Sequence, residues 1–131
     1  LWVNRDPTAP ESSDIFQGRY HRPRISYTTG LALSGYVGSE YKNLLSASEP
    51  PSQGAYHFLA IVSNLNTFKM YIDGVLNVSS PFQTIDAGAS YFGFGDAWTS
   101  NQFWKGYIDD ARIYNRALSE AEIKAIYNAT K

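Results

Sequence analysis

The chain has 131 residues, the size of one compact domain. Its 11 Lys and Arg stand against 12 Asp and Glu, a net charge of −1, so no global field selects a nucleic acid or an acidic membrane. Charged residues at 18% and hydrophobic residues at 44% exclude a disordered chain, and the absence of cysteine excludes a disulfide scaffold, a thiol nucleophile and a thiolate zinc site.

Aromatics make up 15% of the chain, a load that has to be core or contact surface. Leu1-Trp2-Val3 reads as a first short strand, closed by Asp6-Pro7 and a polar stretch through Ser13. No charged-then-apolar leader precedes it, so a secretion signal is expected outside this sequence, which reads as a mature or excised piece. Arg24 to Ser26, Leu31 to Leu33 and Tyr36-Val37 are the next strand candidates, interrupted by Gly30, Gly35 and Gly38. Glu49-Pro50-Pro51-Ser52-Gln53-Gly54 is a loop, because neither proline can donate into a sheet.

Tyr56 to Val62 is a dense apolar run that reads as a strand buried on both faces. Its unbroken core, Phe58 to Val62, is far shorter than the roughly 20 residues of a membrane span, so no membrane insertion is expected. Phe68 to Ile72, Asp73-Gly74 and Val75 to Val78 predict a hairpin, since Asp-Gly accepts the positive φ angles of a type I′ turn. Tyr91 to Gly95 is a further strand with Phe92 and Phe94 on one face. A polar-aromatic loop from Asp96 to Lys105 leads into an expected strand from Tyr107 to Tyr114. The chain then turns helical, from about Ser119 to Asn128. Ser119 is the N-cap, Glu122 completes a capping box, and Leu118 with Ile123 forms the hydrophobic staple.

Tyr56-His57-Phe58-Leu59-Ala60-Ile61-Val62, the hairpin Met70 to Leu76, and Gly106-Tyr107-Ile108-Asp109-Asp110-Ala111-Arg112-Ile113-Tyr114-Asn115-Arg116-Ala117-Leu118-Ser119 occur in this order. Together they resemble the laminin-G-like, concanavalin-A-like jelly-roll domains. The last run, continued by Glu120-Ala121-Glu122-Ile123, carries most of the resemblance. Leu1 to Asp6 is similar to the family's early W-V strand more loosely. The resemblance implies a single all-β domain over residues 1–131, a jelly-roll β-sandwich of two antiparallel sheets with a short C-terminal helix. Members usually carry further strands before that W-V strand. On that reading either the sandwich is short, or the domain is truncated at its N-terminal side with an open edge that invites a partner chain or homo-oligomer.

No enzyme is expected. Laminarinase-type relatives carry two carboxylates on one strand face in an E-x-D-x-E pattern, which is absent; Asp109 and Asp110, adjacent in sequence, would point to opposite faces. The Arg-Ser/Thr-Glu and Gln-x-His strands of lyase relatives are absent as well. With only His21 and His57, neither a serine triad nor a three-histidine metal site has support.

The resemblance gives Asp109 as a ligand of structural calcium, while the residues alone allow it to cap a strand with Asp110 paired to Arg112. Asp96, Trp98, Asn101 and Gln102 offer an indole face for a sugar's C–H side and polar groups for its hydroxyls; Trp104, just before the last strand, is expected in the core. Tyr20, His21 and Arg22, within the run Arg19 to Arg24, form a second candidate site for a carboxylated or sulfated glycan.

The expected function is a non-catalytic, lectin-like carbohydrate-binding module of a larger secreted or cell-surface protein, with polysaccharide or glycan as partner and no nucleic acid. A laminin-G-type adhesion module and a small self-associating protein are the alternatives.

Overall fold

The computed structural model describes residues 1–9, 12–18, 23–28, 30–85, 92–95 and 102–131. In chain order they form β1 (Trp2–Arg5), β2 (Ser13–Gly18), β3 (Arg24–Tyr27), β4 (Leu31–Val37), β5 (Glu40–Ser46), β6 (Tyr56–Ser63), β7 (Thr67–Ile72), β8 (Val75–Pro81), β9 (Phe92–Phe94), β10 (Gly106–Asp109) and α1 (Glu120–Thr130). Two five-stranded antiparallel sheets result, ordered β10-β1-β6-β7-β8 and β5-β4-β3-β2-β9. This is the jelly-roll sandwich with one short C-terminal helix that the sequence predicts.

Side-chain alternation explains how the sheets pack. Val3, Leu59, Phe68 and Met70 from the first sheet meet Ile15, Ile25, Leu31, Leu33 and Leu45 from the second in one buried cluster. The first sheet is covered on its other face too. Phe58, Val62 and Tyr71 point away from the second sheet and bury Ile123 of α1, which explains why β6 reads as apolar throughout. Burying one such isoleucine contributes about 1.5–3 kcal/mol.

Local chemistry sets the two best-defined corners. The β7–β8 hairpin closes through Ile72 opposite Val75, with Asp73 at φ 52° and Gly74 at φ 78°, as a type I′ turn requires. At α1, the Ser119 hydroxyl accepts from the Glu122 N–H at 3.3 Å while a Glu122 carboxylate oxygen accepts from the Ser119 N–H at 2.8 Å. The capping box is therefore complete, and Leu118 packs beside Ile123 as the staple predicts.

Several expectations are corrected. The last strand ends at Asp109 rather than Tyr114, because Asp110 adopts φ 48° and β1 runs out of pairing residues at Trp2, opposite Asp109. At the start of that strand, Gly106 at φ 144° lies so close to β1 that a Cβ would collide with the Asn4 carbonyl oxygen. β4 is continuous through Gly35, since Lys42 on β5 pairs with it. β2 and β5 had no clear signal in the sequence. In both, a bulge breaks the alternation: Ile15 and Phe16 both pack on the core, as do Leu44 and Leu45. Trp104 packs against the core but is only half-buried, and its indole N–H donates to the Tyr107 carbonyl at 3.3 Å.

Beyond Leu1, β6 has no neighbour on the β1 side among the described residues. An apolar groove of ≈ 800 Å³ opens there, lined by Ile61, Leu65, Phe82, Ile113, Leu118 and Ile126 among others.

Candidate functional site

The second sheet turns Ile25, Tyr27, Leu31 and Leu33 toward the core, so Arg24, Ser26, Ala32 and Ser34 occupy its outer face. That face is polar, yet much of it is buried. Asp14 is 0% exposed and Arg24 8%. Arg24 joins three strands and a loop: its Nε donates to Asp14 Oδ1 at 2.6 Å, Nη1 to the Tyr41 hydroxyl at 3.4 Å, and Nη2 to the Ser12 hydroxyl at 3.4 Å. Tyr41 shares a 2.7 Å hydrogen bond with the Ser34 hydroxyl, and its ring meets Tyr36 edge-on at 5.3 Å.

Register makes this cluster possible. Arg24 pairs across β3–β4 with Ser34 and across β2–β3 with Gln17, so residues far apart in sequence converge on one face. Burial pushes the Asp14 carboxyl above its ordinary value, against the pull of Arg24. Burial also opposes the Arg24 cation, but the hydrogen bonds with Tyr41 and Asp14 outweigh it and hold the guanidinium above its usual range. The other carboxylate oxygen of Asp14 and the amide oxygen of Gln17 are buried acceptors with no donor among the described residues. At the rim, Tyr41 is 41% exposed. The cluster thus combines immobilised polar groups with an accessible aromatic ring.

Of the residues singled out from the sequence, Gln102 reaches this cluster. Its side-chain amide donates to Ser12 at 2.9 Å, and its carbonyl accepts from the Asp14 N–H at 2.8 Å. Asp96, Trp98, Asn101, Tyr20, His21 and Arg22 lie outside the described residues. Asp14, Ser34 and Tyr41 were not anticipated, and Arg24 was anticipated only as part of the basic run. Nothing local marks them, because their proximity depends on strand order.

Asp109 is exposed, and its Oδ1 accepts from the Asp110 N–H at 2.7 Å. The Asp110 carboxylate in turn pairs with Arg112 Nε at 2.7 Å, so the strand-capping reading of Asp109 and the pairing of its neighbour both match the geometry. Among the described residues no three His, Cys, Asp or Glu gather as a metal cage, and the donors at Asp109 do not by themselves fit calcium.

At one end of the sandwich, three residues form a chain of hydrogen bonds. The Ser52 hydroxyl lies 2.9 Å from His57 Nε2, and His57 Nδ1 lies 2.7 Å from Asp73 Oδ2. The sequence offered no sign of this alignment, since the residues come from a loop, a strand and a turn.

The Laminin_G_3 family model, described as the concanavalin A-like lectin/glucanases superfamily, matches residues 1–124. The chain belongs to that family. Among solved structures it is similar to domain 4 of AbnA, a GH43 extracellular arabinanase from Geobacillus stearothermophilus, in complex with arabinotriose. There the TM-score is 0.75 at 23% identity, with 96% of this chain and 63% of that one covered. A protein from Bacteroides ovatus described as carbohydrate binding matches with a TM-score of 0.72 at 14% identity, over 94% of this chain and 38% of that one. The botulinum neurotoxin serotype D binding domain matches with a TM-score of 0.66 at 18% identity, over 98% of this chain and 36% of that one. At these identities the likeness is one of fold, and the chain spans less than two thirds of each of these relatives. No curated protein matches the sequence.

Proposed function

We propose that this chain is a carbohydrate-binding module that holds a glycan without cleaving its glycosidic bonds, within a larger secreted or cell-surface protein. The observation that carries the reading is the outer-face cluster of the second sheet: Asp14, Arg24, Ser34 and Tyr41, with Gln102 joined through Ser12. Sugar recognition needs fixed hydrogen-bonding groups beside an aromatic face. Here the polar groups are held by one another, so little ordering entropy is lost when a ligand replaces solvent. The family and the fold shared with the arabinotriose-bound arabinanase domain support the same class.

Trp98, with Asp96 and Asn101, belongs to the proposal as a stacking surface; Tyr20, His21 and Arg22 belong to it as a secondary contact. Calcium enters only as a structural ion for which Asp109 is one ligand and other groups supply the remaining oxygens.

A glycan array read at neutral pH, with and without calcium, tests the proposal. Binding to at least one glycan class is expected, and Tyr41→Ala and Trp98→Ala should each weaken it at least tenfold, about 1.4 kcal/mol. An array with no bound glycan in either condition sinks the reading and favours a protein-binding adhesion module. A chelator that leaves affinity and melting temperature unchanged removes calcium from it.

A further inference from the structure

We propose that Ser52 is an activated nucleophile for acetyl esters, with His57 as its general base and Asp73 as the group that orients the base. The site lies on the first sheet and its bordering loop, apart from the outer-face cluster, and goes beyond glycan binding.

The orientation is set from the turn inward. Asp73 occupies the first turn position of the β7–β8 hairpin, and its N–H donates to the Phe58 carbonyl at 2.8 Å. Its Oδ1 accepts from the Phe58 N–H at 2.9 Å, which fixes the carboxylate and leaves Oδ2 for His57 Nδ1. A carboxylate can only accept, so Nδ1 carries the imidazole proton and the Nε2 lone pair faces the Ser52 hydroxyl. The base is therefore held in the tautomer that removes a proton from serine. His57 is half-buried and Ser52 exposed, so the hydroxyl is open to an incoming ester.

The neighbourhood limits the acyl group. A cavity of ≈ 10 Å³ borders both Ser52 and His57, and Val3, Arg5, Ile15, Tyr27, Leu31 and Trp104 are among its other lining residues. That volume is about what one water molecule needs, so a long acyl chain has no room there and acetyl, the smallest common acyl group, is the ester to test.

The chemistry balances with water as the co-reactant. Ser52 Oγ attacks the ester carbonyl carbon while Nε2 takes the hydroxyl proton. The bond from that carbon to the alcohol oxygen breaks, and the departing alcohol takes the proton from Nε2, leaving acetyl-Ser52. Water then attacks the same carbon as Nε2 accepts its proton. The bond from that carbon to Oγ breaks, Oγ takes the proton from Nε2, and acetic acid leaves and gives its remaining proton to solvent as acetate, so Ser52 is restored.

The test uses the 131-residue chain with p-nitrophenyl acetate, followed by acid quench and peptide mapping. The expected results are an acetyl group on Ser52 and nitrophenol release that falls at least tenfold in both Ser52→Ala and His57→Ala. Ser52 is exposed, so its alanine variant keeps the fold, which far-UV circular dichroism checks. p-Nitrophenyl octanoate should react at least tenfold more slowly than the acetate. Acetate released from O-acetylated xylan as well would make the glycan a source of the ester; release from the nitrophenyl ester alone would make small esters the source. Acetylation confined to lysines or tyrosines, or a Ser52→Ala variant as fast as the parent, overturns the proposal.

Discussion

Asp14 would be a poor choice for a buried strand position if it stood alone, because an unpaired carboxylate is far less stable there than in water. Arg24 makes it tolerable, and each depends on the other. Removing one partner leaves a buried charge uncompensated, so Asp14→Ala should destabilise the fold by about 3–5 kcal/mol in urea unfolding at neutral pH. The same residue has a signed effect on pH dependence. Its carboxyl is pushed above the ordinary 3.8, so the folded state holds its proton more tightly than the unfolded state does. The part of its contribution that is tied to this proton is fully present below pH 3.8 and is lost as pH rises through the raised value, whereas the pairing with Arg24 acts above it.

At the scale of the element, α1 is held from both ends. Its capping box is reinforced by Arg116, whose Nη2 and Nη1 contact the two Glu122 oxygens at 2.7 and 3.0 Å. At the far end, the Trp2 indole donates to the Thr130 hydroxyl at 3.0 Å. The bond from Arg116 first, then those from Ser119, lower the Glu122 carboxyl from 4.5 to about 2. A depressed pKa stabilises the fold above the unfolded value, so this contribution is intact above pH 4.5 and disappears as pH falls toward 2. Acid titration followed at the helical circular-dichroism band should show α1 loosening across that window. Glu122→Gln should flatten the window; an unchanged acid limb would show that the cap does not govern helix docking. Gly74 adds a steric tie, because a Cβ there would meet the Tyr127 ring of α1 at 3.0 Å.

For the whole molecule, the feature that bears on association is the stretch of β6 beyond Leu1, which has no neighbour on the β1 side among the described residues. The groove beside β6 exposes apolar side chains, with Leu65 at 87% and Ile113 at 74% exposure, next to the part of β6 beyond its last β1 partner. Exposed apolar surface adjoining unpaired strand edge favours association. A second copy of the chain is the occupant available to the isolated domain, so sedimentation at high micromolar concentration should show self-association. A clean monomer there would mean that the edge is protected without a partner. The outer-face cluster lies on the other sheet, so association through this groove is expected to leave glycan binding unchanged.

The sequence by itself determined those features whose causes lie within a few residues. Asp73-Gly74 sets the hairpin because only a turn tolerant of positive φ joins such strands in two residues, and Ser119 with Glu122 starts the helix because each satisfies the other's backbone donor. The Gly106 to Ser119 run, with the strands before it, was enough to indicate the family and the two-sheet class. The tertiary structure decided what depends on strand order and register. Bulges in β2 and β5 erased the alternation that would have marked them as strands. The end of β10 is set by the reach of β1, a partner more than 100 positions away in sequence. The Asp14–Arg24–Tyr41 cluster and the Ser52–His57–Asp73 chain exist only because sheet pairing and the hairpin turn bring a loop, several strands and a turn to shared faces. Side-chain chemistry is written in the residues, but the distances between those groups are fixed by the packed backbone, and no local pattern encodes them.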